Sequence, residues 1–450
     1  MSGVNRGQRA LVIGGGMAGL GAAAALARSF ARVVVLEADA LPSAAAHRRA
    51  IPQGHHSHVL MANGRLVFER LLPGLDDDLA AAGAQLVDWG QDCLIYSSAG
   101  LVPRFPSRLL TRPCTRPLLE SAVLARVRRL PNVEIRESQR VSGLKTDAAG
   151  RVSGVSIEGG PDLEGFDLVV DAGGRRSKAI EWLGALGVAA PEESVVNSFL
   201  GYATRLYQKP KDAPTDWKGI LINSVPPTNP RAAGLWPIEG DRWLVTLAGI
   251  AKEHPRSDQE GFLDFARQLQ TPIIAELIQK AEPVSPIYTY RRMENRWRHF
   301  ERLARWPQRF LVLGDGVCGF NPIYGQGMTV AVMEAERLAE LLASGTPLDR
   351  LGEVFQRSIP GIIADAWVVA TGEDSRWPST EGAERTLSAR LTHWYIARLM
   401  ELTRERPRLV DGFLSVIHML ERPSSLAHPA IAGPVLARAL LPRRGGRVEA

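Results

Sequence analysis

The chain has 450 residues, of which 45% are hydrophobic and 23% charged, as in a folded globular protein with room for two or three domains. The net charge of +6 comes from basic residues spread along the chain, so the sequence does not predict nucleic-acid binding. Three cysteines without metal-ligand spacing, and no strongly apolar run of about 18 residues, predict a cytoplasmic protein without disulfides or a membrane span.

The first predicted elements form a strand–turn–helix–strand unit. Its parts, in chain order, are the strand Ala10–Ile13, the glycines Gly14, Gly16 and Gly19, a helix to about Arg28, the strand Arg32–Leu36 and the acid Glu37. A lone G-x-G-x-x-G spacing is a weak signal. Inside such a unit, with an acid 18 residues after the last glycine, it predicts a dinucleotide-binding fold.

Each residue of this motif has a physical role. Gly14 makes the tight turn, Gly16 lets backbone amides approach a pyrophosphate at the positive end of the helix, and Gly19 lets helix and strand pack closely. Glu37 can accept hydrogen bonds from a ribose. The motif does not separate NAD from FAD, but regular strand–helix units do not follow it, and a long insertion here is typical of FAD-binding oxidoreductases.

The segment 41–110 is predicted to be irregular, apart from an amphipathic helix near residues 63–72. It contains His55, His56 and His58, but no acids or cysteines stand at a spacing that would complete a metal site. The sequence therefore predicts no metal. It also lacks a Ser/His/Asp set, a P-loop and a pair of carboxylates placed for acid–base catalysis.

Two more glycine-containing segments follow predicted strands. One is Asp167–Gly184, "DLVVDAGGRRSKAIEWLG". The other is Phe310–Leu342, in which a buried strand and a helix are joined by a loop with Gly314-Asp315 and the run Pro322-x-x-Gly325-Gln326-Gly327-Met328. Backbone without Cβ atoms lets a chain approach a ligand closely, so this loop is a candidate binding surface.

The region 185–300 is predicted to form strands separated by Pro/Gly turns, with one helix near residues 259–269. Leu235, Trp236 and Ile238 are candidates for the wall of a substrate pocket in this sheet. Beyond about residue 350, the apolar spacing predicts packed amphipathic helices.

Together the three motifs resemble those of the class A flavoprotein monooxygenases, the family of p-hydroxybenzoate hydroxylase. Their order and spacing match over roughly residues 8–345. The resemblance implies an α/β fold, with a Rossmann-like FAD-binding domain of the p-hydroxybenzoate hydroxylase type, a β-sheet substrate domain and C-terminal helices. The implied ranges are 1–184 and 301–345 for the FAD-binding domain, 185–300 for the substrate domain and 346–450 for the helical region.

The resemblance also assigns cofactor residues. Asp315 matches the aspartate that binds a ribityl hydroxyl of FAD, and the helix from about Thr329 points its N-terminus at the flavin. Pro322, Gly325 and Gly327 match the loop where oxygen is activated, through their backbone. Further FAD contacts implied by position are Arg49, preferred over Arg48, together with Arg116, Val141, Gly327 and Met328.

The second motif departs from the family pattern Gly-Ala-Asp-Gly-x-x-Ser. The usual aspartate position is Gly173 in this chain, and an aspartate, Asp171, stands two residues earlier. Because the family uses that motif for joint FAD and NAD(P)H binding, NAD(P)H is expected to reduce the flavin either directly or through a separate flavin reductase. The form "DAGGRRS", with "RRAIPQGHHSH" and "RWLVTLAG", resembles a subgroup of squalene-epoxidase-like bacterial enzymes that make polyether epoxides.

The activity implied by the resemblance is FAD-dependent monooxygenation. NAD(P)H reduces FAD, O₂ forms a flavin C4a-hydroperoxide, and one oxygen atom passes to an apolar aromatic or alkene natural product by hydroxylation or epoxidation. His56 and Trp236 are the residues expected to touch this small-molecule substrate. A monomer or a homodimer is expected.

Three alternatives stay open. A flavin-dependent halogenase shares the nucleotide site but carries a Trp-x-Trp-x-Ile-Pro motif, whereas this chain has "LWPIEGDRW", in another order. A flavin reductase of the geranylgeranyl-reductase type would saturate alkenes without consuming oxygen. A non-enzymatic lipid-binding protein resembling the prenyl-protein dissociation inhibitors would purify without yellow flavin.

Overall fold

A computed structural model describes residues 6–48, 51–291 and 293–439 of the chain. The strands, in chain order, are β1 (Gly7–Ile13), β2 (Phe30–Leu36), β3 (Val87–Asp88), β4 (Cys93–Ser97), β5 (Gly100–Leu101), β6 (Leu110–Thr111), β7 (Val133–Arg136), β8 (Val141–Thr146), β9 (Val152–Ile157), β10 (Leu163–Glu164), β11 (Leu168–Asp171), β12 (Glu193–Val196), β13 (Gly201–Gln208), β14 (Gly219–Ile222), β15 (Arg231–Ile238), β16 (Arg242–Gly249), β17 (Tyr288–Tyr290), β18 (Asn295–Arg298), β19 (Phe310–Val312) and β20 (Cys318–Gly319). The helices are α1 (Met17–Leu26), α2 (Ala62–Leu71), α3 (Leu75–Ala81), α4 (Trp89–Asp92), α5 (Arg116–Arg128), α6 (Ala179–Ala185), α7 (Gln259–Arg267), α8 (Ile273–Lys280), α9 (Gly327–Ala343), α10 (Leu348–Ser358), α11 (Pro360–Asp374), α12 (Leu387–Thr403), α13 (Pro407–Ile417) and α14 (Pro429–Ala439).

A five-stranded sheet carries the N-terminal unit. Its order is β19–β11–β1–β2–β7, and every neighbouring pair is parallel. Residues 10–13 and 33–36 are buried, as in parallel strands that are covered on both faces. The edge strand β19 comes from residues 310–312, so the chain returns from far downstream to complete the sheet. This confirms the predicted α/β fold with a Rossmann-like domain.

A second sheet of seven strands has the order β17–β13–β16–β15–β14–β4–β5. It is antiparallel except where β14 pairs with β4. One face packs against α7 and α8, and Leu235 lies in that core. Strands β4 and β5 lie within residues 93–101, so this sheet also uses chain from before residue 185.

From Gly327 onward the described chain is helical. Helices α10 and α11 add to the core around the parallel sheet. Helices α12, α13 and α14 share a smaller apolar core of their own with Val369 of α11. In the part of the chain that the structure describes, no helix is both long and apolar enough to cross a membrane.

Helix α9 begins at Gly327, two residues before the position expected from the sequence. Gly325 has a left-handed backbone with a φ of 68°, and the helix starts soon after this turn. The N-terminus of α9 is therefore placed directly beside the loop that precedes it.

Candidate active site

The three motifs meet around one cavity of about 460 Å³, called cavity A. The residues predicted to bind the cofactor that line cavity A are Gly14, Gly16, Glu37, Arg116, Val141, Asp315, Gly327 and Met328. Pro322 and Gly325, predicted for the oxygen-activating loop, line it as well. Gly19 lies behind the first turn, and Arg49 lies outside the described residues.

The glycines of the first motif have different surroundings. Gly14 has a φ of 101°, a backbone angle that residues with a side chain rarely adopt. A Cβ on Gly19 would stand 1.9 Å from the carbonyl oxygen of Gly14. At Gly16, apart from its own chain neighbours, no described atom lies within 4 Å of the place of a Cβ. That space belongs to cavity A, at the N-terminus of α1, where the helix dipole favours an anion.

Glu37 directly follows β2 and is held in place by three contacts. Its Oε2 accepts the Gly15 N–H at 2.8 Å and lies 2.7 Å from Nη2 of Arg48, while its Oε1 accepts the Asp39 N–H at 3.0 Å. Arg48 also donates to the Gly15 carbonyl at 3.2 Å, and its Nε is buried without a partner among the described residues. Arg48, not chosen from the sequence, therefore lines cavity A and carries a buried donor without a partner.

Arg116 stands at the first position of α5. Its Nε donates to Glu120 at 2.7 Å, and its Nη1 lies 2.6 Å from Sδ of Met328. Val141 begins β8 on another side of cavity A. Residues from widely separated segments thus converge on this cavity, as a long dinucleotide requires.

Asp315 lies in a short turn after β19. Its side chain is 38% exposed and lies 3.7 Å from Nε of Arg175, so it is partly free to accept a hydrogen bond. The N-terminus of α9, with Gly327 and Met328, faces the same cavity. Partial positive charge at that end favours an anionic ring.

In the altered second motif, the Asp171 side chain forms its hydrogen bonds within its own turn. Oδ1 of Asp171 accepts the Gly173 N–H at 2.8 Å, and Oδ2 accepts the Ser177 hydroxyl at 2.5 Å. Asp171 is fully buried, and burial raises the pKa of its carboxyl. A Cβ on Gly173 would stand 2.9 Å from Oδ1 of Asp171, so the two positions are not both suited to aspartate.

A second cavity, cavity B, has a volume of about 510 Å³ and a mostly apolar lining. One wall is the seven-stranded sheet, with Trp236, Thr246 and Tyr202. The opposite wall consists of helices α11 to α14. Ser57, Val59, Pro322 and Gly325 line both cavities, so the loop before α9 is the partition between them.

The predicted substrate residues are placed differently. Trp236 lines cavity B and packs on Trp89, with ring centroids 4.8 Å apart. Leu235 and Ile238 line neither cavity. Because neighbouring strand residues face opposite sides, Leu235 points to the core under α7 and α8.

His56 is not in the lining of either cavity, contrary to the expectation that it touches substrate; the adjacent Ser57 is. The buried His56 Nδ1 lies 2.7 Å from the Thr204 hydroxyl, which lies 2.8 Å from that of Thr246. Burial and the nearby His55 lower the pKa of His56 to about 4, so its ring is neutral near pH 7. No sequence pattern signals this link, because it depends on the register that pairs Thr204 with Thr246 across β13 and β16.

The residues around cavity A fit FAD. Gly16 with its open space, Arg48 with its unpartnered donor and Asp315 with its partly free carboxylate all line this cavity. The N-termini of α1 and α9 face it as well. Within the described residues, no three His, Cys, Asp or Glu side chains gather as metal ligands do.

Sequence comparisons agree with this geometry. A model of the NAD(P)-binding Rossmann-like domain matches residues 12–64. The chain is 31% identical over 348 residues to Protein Rv3254 of Mycobacterium tuberculosis, covering 74% of this chain and 72% of that protein. It is 25% identical over 370 residues to the ubiquinone hydroxylase UbiL of Rhodospirillum rubrum, covering 79% and 76%.

Solved structures share the fold. PqsL, a probable FAD-dependent monooxygenase from Pseudomonas aeruginosa, is 19% identical with a TM-score of 0.59, covering 82% of this chain and 97% of that chain. The flavin-dependent brominase Bmp2 is 15% identical with a TM-score of 0.64, covering 92% and 93%. The fold, cavity A and the curated relatives are those of a class A FAD-dependent monooxygenase, and the chain belongs to this family. Its cofactors are FAD and NAD(P)H.

Proposed function

We propose that this monooxygenase transfers one oxygen atom from O₂ to an apolar aromatic or alkene natural product bound in cavity B, by hydroxylation or epoxidation. The observation that carries the proposal is the position of cavity B, which meets cavity A across Pro322 and Gly325. A substrate in cavity B therefore lies next to the place where the flavin ring fits. The apolar lining favours an apolar substrate.

The reaction consumes O₂, NAD(P)H and a proton; one oxygen atom enters the substrate and the other leaves as water. When bound, FAD supplies two-electron reduction and the activation of oxygen. The chain supplies binding, orientation and the exclusion of water. Arg48 and the amides of α1 would hold the pyrophosphate, Glu37 a ribose and Asp315 the ribityl chain, while the amides of α9 would stabilise negative charge on the ring.

His56 gives cavity B one polar connection. A polar group of the substrate at the Thr246 hydroxyl would be linked through Thr204 to the neutral His56 ring. Because burial lowers the pKa of His56 to about 4, the ring acts in this chain as a neutral hydrogen-bond partner and not as a base. In this proposal His56 orients the substrate through Thr246.

The electron donor has two routes. In this chain Asp171 is fully buried and holds its own turn with both carboxylate oxygens, so we do not assign it to a nicotinamide cofactor. We propose that NAD(P)H reduces the flavin either at another part of the surface or through a flavin reductase. Equal flavin reduction rates with and without an added reductase would favour direct binding.

The test is turnover of a library of aromatic and alkene compounds by the FAD-loaded enzyme with NADPH, an added flavin reductase and ¹⁸O₂. Mass spectrometry should find a product that has gained one ¹⁸O atom. Asp315→Ala should lose FAD and product together, whereas Asp349→Asn, which changes an acid outside cavity A that pairs with Arg309, should keep both.

Other products would contradict the proposal. A halogenated product that requires halide would identify a halogenase. A saturated product without oxygen uptake would identify an alkene-saturating enzyme of the geranylgeranyl-reductase type. Purification of the intact protein without flavin, and failure to take up added FAD, would favour the lipid-binding alternative.

A further inference from the structure

The partition between the two cavities is a short stretch of chain, Asn321–Gly325. Pro322 to Tyr324 form one tight helical turn, and Gly325 closes it with a left-handed backbone. A Cβ on Gly325 would stand 2.2 Å from the end of the Met61 side chain, so the turn is packed closely. Its position fixes how the flavin and substrate spaces meet.

A single carboxylate of α11 lies behind this partition. The side chain of Asp374 is buried, and its Oδ2 accepts a hydrogen bond from Nδ2 of Asn295 at 2.7 Å. Its Oδ1 accepts the hydroxyl of Tyr324 at 3.0 Å, and Nδ2 of Asn321 lies 3.3 Å from Oδ2. Asp374 thus binds two residues of the partition directly.

The same cluster also holds the partition through its backbone. Oδ1 of Asn295 accepts the Asn321 N–H at 2.7 Å, and Oδ1 of Asn321 accepts the Ile323 N–H at 3.1 Å. Nδ2 of Asn321 lies 3.3 Å from the hydroxyl of Ser198. Segments far apart in the chain are therefore tied to one another around Asp374.

We propose that Asp374 is a positioning residue that holds the partition Asn321–Gly325 against the flavin space. Its consequence for oxygen transfer rests on the function proposed above. Asp374 does not reach the reacting atoms; it acts through Asn321 and Tyr324. The helical C-terminal region thereby contributes to the geometry of the flavin site, although its described residues line only cavity B.

A carboxylate suits this place because the groups around it are donors. Burial raises the pKa of Asp374 to about 6, while hydrogen bonds from Ser198, Tyr324, Asn321 and Asn295 oppose that rise. The two phenols near it, Tyr202 and Tyr324, stay neutral because burial raises their pKa. An asparagine at 374 would turn an amide N–H₂ toward groups that also donate.

The test uses FAD-loaded enzyme and two variants, Asp374→Asn and Tyr324→Phe. Visible absorption and circular dichroism of the bound flavin report its surroundings without requiring a substrate. We expect both variants to shift these bands in the same direction, with the larger shift in Asp374→Asn. FAD affinity should fall by less than about tenfold, because the contacts around cavity A remain.

The matched control is Asp365→Asn, which removes an acid of the same helix that pairs with Arg422 at 3.1 Å. It should leave the flavin bands unchanged. Unchanged bands in Asp374→Asn, or in Tyr324→Phe if the first variant does not fold, would overturn the proposal, even if thermal stability fell. A halogenated or saturated product would overturn the proposed function alone, since the spectral test does not depend on turnover.

Discussion

Gly16 and Gly19, two glycines of one motif, have different structural roles. Gly19 has no room for a side chain, because its Cβ would meet the backbone of Gly14 at 1.9 Å. Gly16 has room, and that room is cavity A. The fold requires a glycine at position 19, whereas the ligand requires one at position 16, and the G-x-G-x-x-G pattern alone does not separate the two roles.

Alanine at each position should separate these roles. Gly19→Ala should lower the free energy of unfolding by about 1–3 kcal/mol or more, as overpacking does. Gly16→Ala should leave the flavin-free protein near wild-type stability and weaken FAD binding by about tenfold or more, because its methyl group enters the pyrophosphate space. Thermal unfolding without FAD and a fluorescence titration with FAD would measure both. Wild-type FAD affinity in Gly16→Ala would mean that the pyrophosphate lies elsewhere.

At the scale of one element, β15 shows how a strand divides its residues between core and cavity. Trp236 lies flat on the sheet because Gly219 and Gly234 leave space; a Cβ on either would come within 3 Å of its ring. Leu235 points the other way. Ala232 and Trp236 of this strand therefore line cavity B, whereas Leu235 packs into the core on the other face.

Substitutions at these neighbours should have opposite effects. Trp236→Leu should enlarge cavity B and widen the range of oxygenated products. Leu235→Ala should reduce stability by about 2–5 kcal/mol, as a buried cavity does, and leave the product range unchanged. Chemical denaturation and the product survey would measure the two effects. A changed product range in Leu235→Ala, with none in Trp236→Leu, would contradict the assignment of the two faces.

The sequence predicted the features that depend on neighbouring residues better than the contacts between separate segments of the chain. The glycine motifs, the strand pattern of residues 201–249 and Asp315 depend on neighbours in sequence, so patterns revealed them. The choice of Arg49 over Arg48 stays a prediction, because Arg49 lies outside the described residues. The turn that places Ser57, and not His56, in the cavity linings belongs to an irregular segment without a sequence pattern. The cluster around Asp374 joins residues 198, 295, 321 and 374, and no local pattern signals such a meeting of separate elements.

At the scale of the whole molecule, several buried groups give stability a dependence on pH. Burial lowers the pKa of His56 to about 4 and that of His418 to about 3, so both resist protonation below pH 6.5. Glu334 of α9 is fully buried, and burial raises the pKa of its carboxyl from 4.5 to about 8. Its Oε2 accepts the Gly314 N–H at 2.5 Å, which ties it to the turn of Asp315.

Glu334 should make the protein less stable as pH rises. Between pH 4.5 and about 8 the folded chain keeps a proton that the unfolded chain has lost, so stability falls with increasing pH. From pH 6.5 to 8 the contribution of Glu334 should fall by about 2 kcal/mol. The buried histidines, whose pKa is near 6.5 in the unfolded chain, gain stability over the same range, so the effect of Glu334 is measured as a difference between variants. Glu334→Gln, which keeps an acceptor for Gly314, should therefore gain stability relative to the wild type as the pH rises from 6.5 to 8 in urea unfolding. Glu336→Gln, on the same helix but paired with Arg70 near the surface, should follow the wild type; equal slopes in both variants would refute the assignment.

The two cavities draw on different stretches of the chain. Among the described residues, none beyond Ala331 lines cavity A, whereas α11 to α14 supply a whole wall of cavity B. Evolution can therefore exchange the C-terminal helices and change the molecule that is oxidised while the cofactor site is inherited intact. A chimera between relatives should join after Asp374, because a crossover before it would replace the carboxylate that holds the partition.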